Sequence, residues 1–358
     1  MQHPDICVAG AGIIGLSLAL ELHRRGLHVT VLDRSTPLAE ASTAAAGMLA
    51  IGDPHNPPAL RSLADLSLAL YPNFLDHLNI LSGIRVPFQT NTTLQTLPHH
   101  TPHSEKELAP TDLARLLPTL TQGDHRFVLL DECSLDPRQL ASALLAAVRA
   151  TTIDLRPNTP VLSTRSFNNT TEIKTPVGLL HAKQFIDCTG AWASTTSPLP
   201  NLQVTPKKGQ MLAVALPPSL PLDLVVRTPD IYIVPRTSGP NVGRAIIGAT
   251  IEDAGFDKTV HRSDVAHLRS LATQLLPALT DALQLEAWAG LRPATPDGLP
   301  LLGALPERPN HFIATGHYRD GILLAPATAH VIARLLTGET PSINLDPFAP
   351  SRIFQRPA

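Results

Sequence analysis

A mixed α/β fold, in which a mostly antiparallel sheet domain is inserted into a discontinuous parallel-sheet domain, is predicted by three features of this 358-residue sequence. Near its start, a short apolar strand runs into three spaced glycines and an apolar helix. The middle of the chain changes to strand-like runs joined by Pro and Gly turns. The final third returns to Gly-rich punctuation and closes on a helix.

The first strand is Ile6-Cys7-Val8-Ala9. Gly10-Ala11-Gly12-Ile13-Ile14-Gly15 follows, then an apolar helical run from Leu16 to Leu22 and a second strand, Val29-Thr30-Val31-Leu32, ending on Asp33. A dinucleotide demands this layout, and it predicts a Rossmann-like domain. Gly10 permits the tight turn, Gly12 lets the backbone approach a pyrophosphate, and Gly15 lets helix and strand pack closely. The helix N-terminus presents free N–H groups and a positive dipole end to phosphates. Asp33 stands 18 residues after Gly15, where a carboxylate binds ribose hydroxyls. A plain Gly-rich turn would explain the glycines, but not strand, turn, helix, strand and acid in order.

Residues 58–82 carry helical periodicity through Leu60, Leu63, Leu66, Leu70, Phe74, Leu78 and Leu81, and close at Gly83. Residues 84–130 read as short strands and Pro-rich loops. Pro137 suits the first turn of another helix, continued by Leu140, Leu144, Leu145 and Val148. A strand pair brackets a turn at Asn168 and Asn169. Gln184 to Cys188 reads as a buried strand that stops at Thr189-Gly190-Ala191-Trp192, where small residues bring backbone close to a ligand. The strand-like runs of the middle region are Met211 to Ala215, Ile231 to Val234 and Ala245 to Ile251. Helices are expected over 263–283 and 326–337. The resulting division places a nucleotide-binding domain at 1–83, 137–203 and 289–358, and a substrate domain at 84–136 and 204–288.

Hydrophobic residues make up 43% and charged residues 16%, which describes a soluble globular protein. The net charge of −2 gives no nucleic-acid or anionic-membrane footprint. Residues 6–20 are almost continuously apolar, but no Lys or Arg precedes them, glycines interrupt them, and they are too short to span a bilayer. They read as strand plus buried helix, with a cytoplasmic location expected. Cys7, Cys133 and Cys188 lack metal spacing and read as free thiols; no metal is expected.

Five segments, in this order, together resemble the D-amino-acid-oxidase superfamily of flavoproteins, and within it the bacterial glycine oxidases of the thiamine pathway. They are the glycine turn with Asp33; Ala41-Ser42-Thr43-Ala44-Ala45-Ala46-Gly47-Met48-Leu49; Tyr232-Ile233-Val234-Pro235-Arg236 with Ile247-Gly248-Ala249-Thr250; Trp288-Ala289-Gly290-Leu291-Arg292-Pro293; and Gly316-His317-Tyr318-Arg319-Asp320-Gly321-Ile322-Leu323-Leu324-Ala325-Pro326. The resemblance spans nearly the whole chain. It implies non-covalent FAD, with Gly10, Gly12, Ile13, Ile14, Gly15, Asp33, Arg34, Val161, Thr189, Gly190 and Trp192 near the nucleotide. Ser42, Thr43, Ala46, Gly47 and Met48 would lie at the flavin ring and pyrophosphate, and His317, Gly321, Ile322 and Leu323 at the flavin's pyrimidine edge. Arg292 and Arg319 are counted among the cofactor contacts as well.

The catalytic group implied by the resemblance is Arg292, Tyr232 and Arg319. A guanidinium matches a carboxylate with two parallel hydrogen bonds, and Tyr232 would donate to the same carboxylate. Arg319 would accept from the substrate amine through its backbone carbonyl. Read alone, Arg292 is equally a surface ion-pair residue, Tyr232 a core aromatic and His317 a structural histidine. A helix starting near Ala325-Pro326 would stabilise negative charge on reduced flavin. Asp230 is a departure from the family pattern: two residues before Tyr232, it either shares that residue's strand face or shapes the turn beside Pro229. Ile251 is another, standing where bacterial glycine oxidases carry Met.

The activity implied is oxidative deamination of glycine, a small D-amino acid or a secondary amine. Hydride passes to the flavin and dioxygen reoxidises it, giving 2-oxo acid, ammonia and hydrogen peroxide. In the family the imine can feed thiamine thiazole synthesis. The expected partners are a small amino acid and dioxygen, in a homo-oligomer. The alternatives are a same-fold dehydrogenase passing electrons to a quinone or other acceptor, and a non-catalytic flavin-binding subunit.

Overall fold

Short apolar runs bounded by glycine build the sheet that carries the nucleotide turn. In the computed structural model, which describes residues 4–97, 106–167, 170–196, 202–306 and 308–353, strands Ile6–Ala9 and Val29–Leu32 are buried at every residue. Strands covered on both faces read this way. They pair in parallel, Ile6 opposite Val29, and Gln184–Asp187 flanks the first on its other side. The full sheet runs Leu301–Leu305, Arg308–Thr315, Gln184–Asp187, Ile6–Ala9, Val29–Leu32 and Asp154–Arg156. Only Leu301–Leu305 is antiparallel to its neighbour. Helices Ile13–Arg24, Arg61–Ser82, Pro137–Arg149 and Gly321–Leu336 share one apolar core with it.

The second sheet has seven strands, in the order Gln284–Ala294, Thr205–Ala215, Arg244–Gly248, Tyr232–Arg236, Val225–Arg227, Thr93–Thr96 and Phe127–Leu130. All its pairs are antiparallel except Val225–Arg227 with Thr93–Thr96. Helix Arg262–Leu275 packs on it around a separate core. The mixed α/β architecture expected from the sequence is therefore present. Strand Gln284–Ala294 pairs continuously with Thr205–Ala215 and runs through the boundary expected at 288/289. The hairpin strands Ser163–Phe167 and Thr170–Thr175 pair antiparallel; the turn expected at Asn168 and Asn169 lies outside the described residues. Among the described residues, no helix is long and apolar enough to cross a membrane.

Two helices differ from expectation, both because of proline. The helix expected over 263–283 ends at Leu275, because Pro277 opens a separate 3-10 turn, and strand begins at Gln284. The last helix starts at Gly321, with Pro326 inside it. Proline has no N–H for the carbonyl four residues back, so the Ile322 carbonyl accepts from the Tyr71 hydroxyl instead. One residue on, the Ser67 hydroxyl donates to the Leu323 carbonyl at 2.6 Å and accepts from the Ala327 N–H at 3.2 Å. Two buried side chains of helix Arg61–Ser82 thus satisfy the ladder that Pro326 interrupts.

Candidate active site

A cavity of about 480 Å³ joins the nucleotide turn to the second sheet. Its walls include Gly10, Gly12, Ile13, Ile14, Asp33, Arg34, Ser42, Ala46, Gly47, Met48, Val161, Thr189, Gly190, Trp192, Tyr232, Arg292, His317, Arg319, Gly321 and Ile322. Gly15, Thr43 and Leu323 are not on them.

The glycines have separate steric jobs. Gly10 has φ +100°, and a Cβ there would overlap the Cys188 carbonyl. A Cβ on Gly15 would overlap the Gly10 carbonyl oxygen, so Gly15 serves close packing of helix on turn. At Gly12 the only close atom would be Ser42 Oγ at 3.4 Å, which leaves the backbone open to the cavity. Ser42 does not cap the short helix Ala41–Ala44; its Oγ accepts from the Ile13 N–H at 2.9 Å. Asp33 accepts from the N–H groups of Ala11 (2.6 Å) and Ser35 (2.8 Å), tying the second strand's end to the glycine turn. Arg34 lies over the Trp192 ring at 3.5 Å.

Two of the three residues off the cavity walls, Thr43 and Leu323, engage other parts of the chain. The Thr43 hydroxyl donates to the Leu38 carbonyl at 2.9 Å. Leu323 is buried in the main core, turned from the cavity by the helix that places Ile322 on its wall. The small-residue segment 41–49 is pinned from the second sheet: Trp288 Nε1 donates to the Ala44 carbonyl at 3.0 Å, and Arg236 Nη2 to the Ala46 carbonyl at 2.8 Å.

At the second sheet, Arg292 Nη1 donates to the carbonyls of Thr250 (3.1 Å) and Lys208 (3.4 Å), which fixes the guanidinium plane. Burial holds the Tyr232 pKa above the usual phenol value, with the nearby Arg292 cation opposing the shift. Both side chains lie over glycines that sequence reasoning missed. A Cβ on Gly209 would overlap the Arg292 guanidinium, and one on Gly248 would stand 2.5 Å from the Tyr232 hydroxyl oxygen. Arg319 turns its side chain to Asp53, at 3.6 Å, after Tyr318 with φ +46°. Asp230 is exposed on the cavity rim in a turn closed by Thr228 and Ile231, before the strand that begins at Tyr232.

Buried charge surrounds this end. Arg227 Nη2 lies 3.0 Å from Glu132, both almost fully buried. Burial pushes the Asp320 carboxyl up to about 7, with Arg319 opposing the shift. His317 is kept neutral by burial, its pKa pushed down to about 3, and its Nε2 sits 3.0 Å from the Thr328 hydroxyl. His317 and Asp320 belong to the segment 316–326 already singled out, whereas Arg227 and Glu132, from a separate strand and loop, had no motif to reveal them.

The cavity suits a dinucleotide flavin on its own geometry: an open glycine backbone, an acid at the end of the second strand, and a helix starting at Gly321 with Ile322 on the wall. Residues 5–335 match the family profile described as DAO, FAD dependent oxidoreductase. The glycine oxidase of Pseudomonas aeruginosa is 32% identical, over 97% of this chain and 98% of that protein. The bifunctional protein ThiO/ThiG of Trichormus variabilis is 36% identical over 99% of this chain, which spans about half (56%) of that relative's length. The crystal structure of glycine oxidase from Geobacillus kaustophilus superposes with a TM-score of 0.90 at 30% identity, covering 98% of this chain and 99% of that one. With cavity, fold and sequence in agreement, the chain belongs to the DAO family of FAD-dependent oxidoreductases.

Proposed function

We propose that this protein oxidises the Cα–N bond of glycine or another small amino acid, by hydride transfer to FAD with dioxygen as acceptor. One observation carries the reading: a fixed guanidinium and a tyrosine hydroxyl line the same cavity as the dinucleotide turn. The products are a 2-oxo acid (glyoxylate from glycine), ammonia and hydrogen peroxide. Similarity to glycine oxidases over nearly the full chain supports the substrate class.

Bound FAD supplies the hydride acceptor. The chain's own residues bind and orient. Arg292 and Tyr232 take the carboxylate at two points, which holds the Cα–H in one direction. Burial keeps Tyr232 protonated, so its hydroxyl donates. The Arg319 backbone carbonyl would accept a hydrogen bond from the substrate amine. Gly321 and Ile322 bring the positive end of the last helix to the cavity, where it favours developing negative charge. No side-chain base is required if the neutral amine's lone pair assists hydride departure.

The test is an anaerobic flavin-bleaching screen over glycine, sarcosine and D-amino acids, followed by air. Bleaching and recovery in air with peroxide is the expected result. Bleaching without recovery in air would assign the protein to the dehydrogenases of this fold. Failure of every amino acid to bleach the flavin would overturn the substrate class.

A further inference from the structure

Behind the carboxylate clamp lies a lysine with no place in the chemistry so far. Lys208 is 0% exposed, and its Nζ lies 3.2 Å from Glu252 Oε2. This is its one ion pair among the described residues. Burying an ammonium is unfavourable, and pairing offsets that cost only in part.

The backbone of Lys208 is tied to the same partner. Its N–H donates to the Glu252 carbonyl and its carbonyl accepts from the Glu252 N–H, both at 3.0 Å. That Lys208 carbonyl also accepts from Arg292 Nη1. The second acceptor of Nη1 is the carbonyl of Thr250, two residues before Glu252. Glu252 Oε1 accepts from Gln210 Nε2 at 2.9 Å and from the Thr250 hydroxyl. Thr250 Oγ1 in turn accepts from the Gln210 N–H at 2.8 Å. Both carbonyls that aim Arg292 therefore belong to one hydrogen-bonded unit built around Lys208 and Glu252.

We infer that Lys208 is a positioning residue for the clamp: its ammonium, paired with Glu252, locks segment 250–252 onto strand Thr205–Ala215 and so fixes the two carbonyls that aim Arg292. Lys208 touches Arg292 with its backbone and Glu252 with its side chain. Without the ammonium, Glu252 Oε2 loses its cation, and the segment that supplies the Thr250 carbonyl loses its side-chain tie to the strand that supplies the Lys208 carbonyl. The inference rests on Arg292 being the carboxylate clamp.

The test compares Lys208→Met, Arg292→Ala and Lys208→Met/Glu252→Gln as FAD-loaded proteins. Acetate, a carboxylate without an amine, is titrated against the flavin absorption spectrum, and glycine kinetics are measured beside it. Lys208→Met should weaken acetate binding and raise the glycine KM about tenfold or more, as expected for breaking a buried charge pair. Its kcat should stay within about threefold, since the reacting atoms are untouched. The double variant should recover most of the loss, because no unpaired carboxylate remains to pull segment 250–252 out of place. Unchanged acetate affinity in Lys208→Met, or a double variant no better than the single, overturns the inference. Where Lys208→Met does not fold, the double variant decides: acetate affinity within about threefold of the parent supports the inference, and a larger loss overturns it. Acetate affinity unchanged in Arg292→Ala would instead overturn the clamp itself.

Discussion

The guanidinium of Arg292 lies directly over Gly209, where a Cβ would overlap both of its terminal nitrogens. The two residues sit on adjacent strands of the second sheet, whose register places Gly209 opposite Gly290 and Lys207 opposite Arg292. Gly209→Ala should therefore displace the guanidinium while leaving the nucleotide half alone. A misplacement of about 1 Å costs on the order of a hundredfold in efficiency, so a loss of that size in kcat/KM is expected, with FAD content unchanged. Steady-state kinetics beside flavin absorbance separate the two. Wild-type efficiency would mean the guanidinium need not occupy this position.

Arg292→Ala removes the guanidinium and its paired hydrogen bonds to the carboxylate and should cost about 2–5 kcal/mol in kcat/KM, the range for truncating a desolvated charge partner. Tyr232→Phe deletes one hydroxyl and should cost about 0.5–1.5 kcal/mol. The ordering is the check. A tyrosine variant as damaged as the arginine variant would point to a role for the hydroxyl beyond carboxylate binding.

The glycine turn was legible in the sequence because its spacing follows directly on a strand and opens a helix, even though Gly10 answers to the distant Cys188 carbonyl and Gly12 to Ser42. Gly209 and Gly248 were not, because their neighbours are side chains brought across by sheet register. Thr43 and Leu323 lie off the cavity wall for the converse reason. They adjoin cavity residues in sequence, yet Ala41–Ala44 and Gly321–Leu336 are helices, and consecutive residues of a helix face different ways. Pro326 read as the start of the last helix, because nothing local reveals that Tyr71 and Ser67 repair the ladder around it.

FAD should leave the protein on acid or heat denaturation and stay in the supernatant. Cys188 is the one cysteine on the cavity wall, and burial holds its pKa well above that of an ordinary thiol, which disfavours the thiolate. Cys7 is fully buried and pushed up to about 12. Absorption spectra of pellet and supernatant settle the matter; yellow colour retained in the pellet would contradict non-covalent binding.

Tyr71→Phe removes the donor to the Ile322 carbonyl and leaves a buried acceptor unsatisfied beside the cavity. Such a loss costs about 1–3 kcal/mol. A lower melting temperature and weaker FAD retention are expected together, since Ile322 lies on the cavity wall. A drop in stability with FAD affinity untouched would separate the helix repair from the cofactor site.

Asp320 supplies a pH signature. Burial, the largest influence, raises its carboxyl from 3.8 to about 7; Arg319 and Arg227 oppose the rise, and Asp53 and Glu132 add to it. Between these two values the folded chain holds a proton that the unfolded chain has released, so this group's contribution to stability falls as pH rises. The slope is at most about 1.4 kcal/mol per pH unit. Below about pH 4 both states are protonated, and above about pH 7 both are ionised, so the group's effect is flat outside the window. His317 works the other way: its pKa falls from 6.5 to about 3, so its contribution is lost as pH falls through that range. Comparing Asp320→Asn with the parent at each pH cancels the histidine. The asparagine keeps the shape of Asp320 but has no charge to bury. The variant's melting temperature should gain on the parent steadily between about pH 4 and pH 7, with the largest advantage above that range. Parallel melting curves for the two proteins across those pH values would show that Asp320 ionises freely in the folded chain.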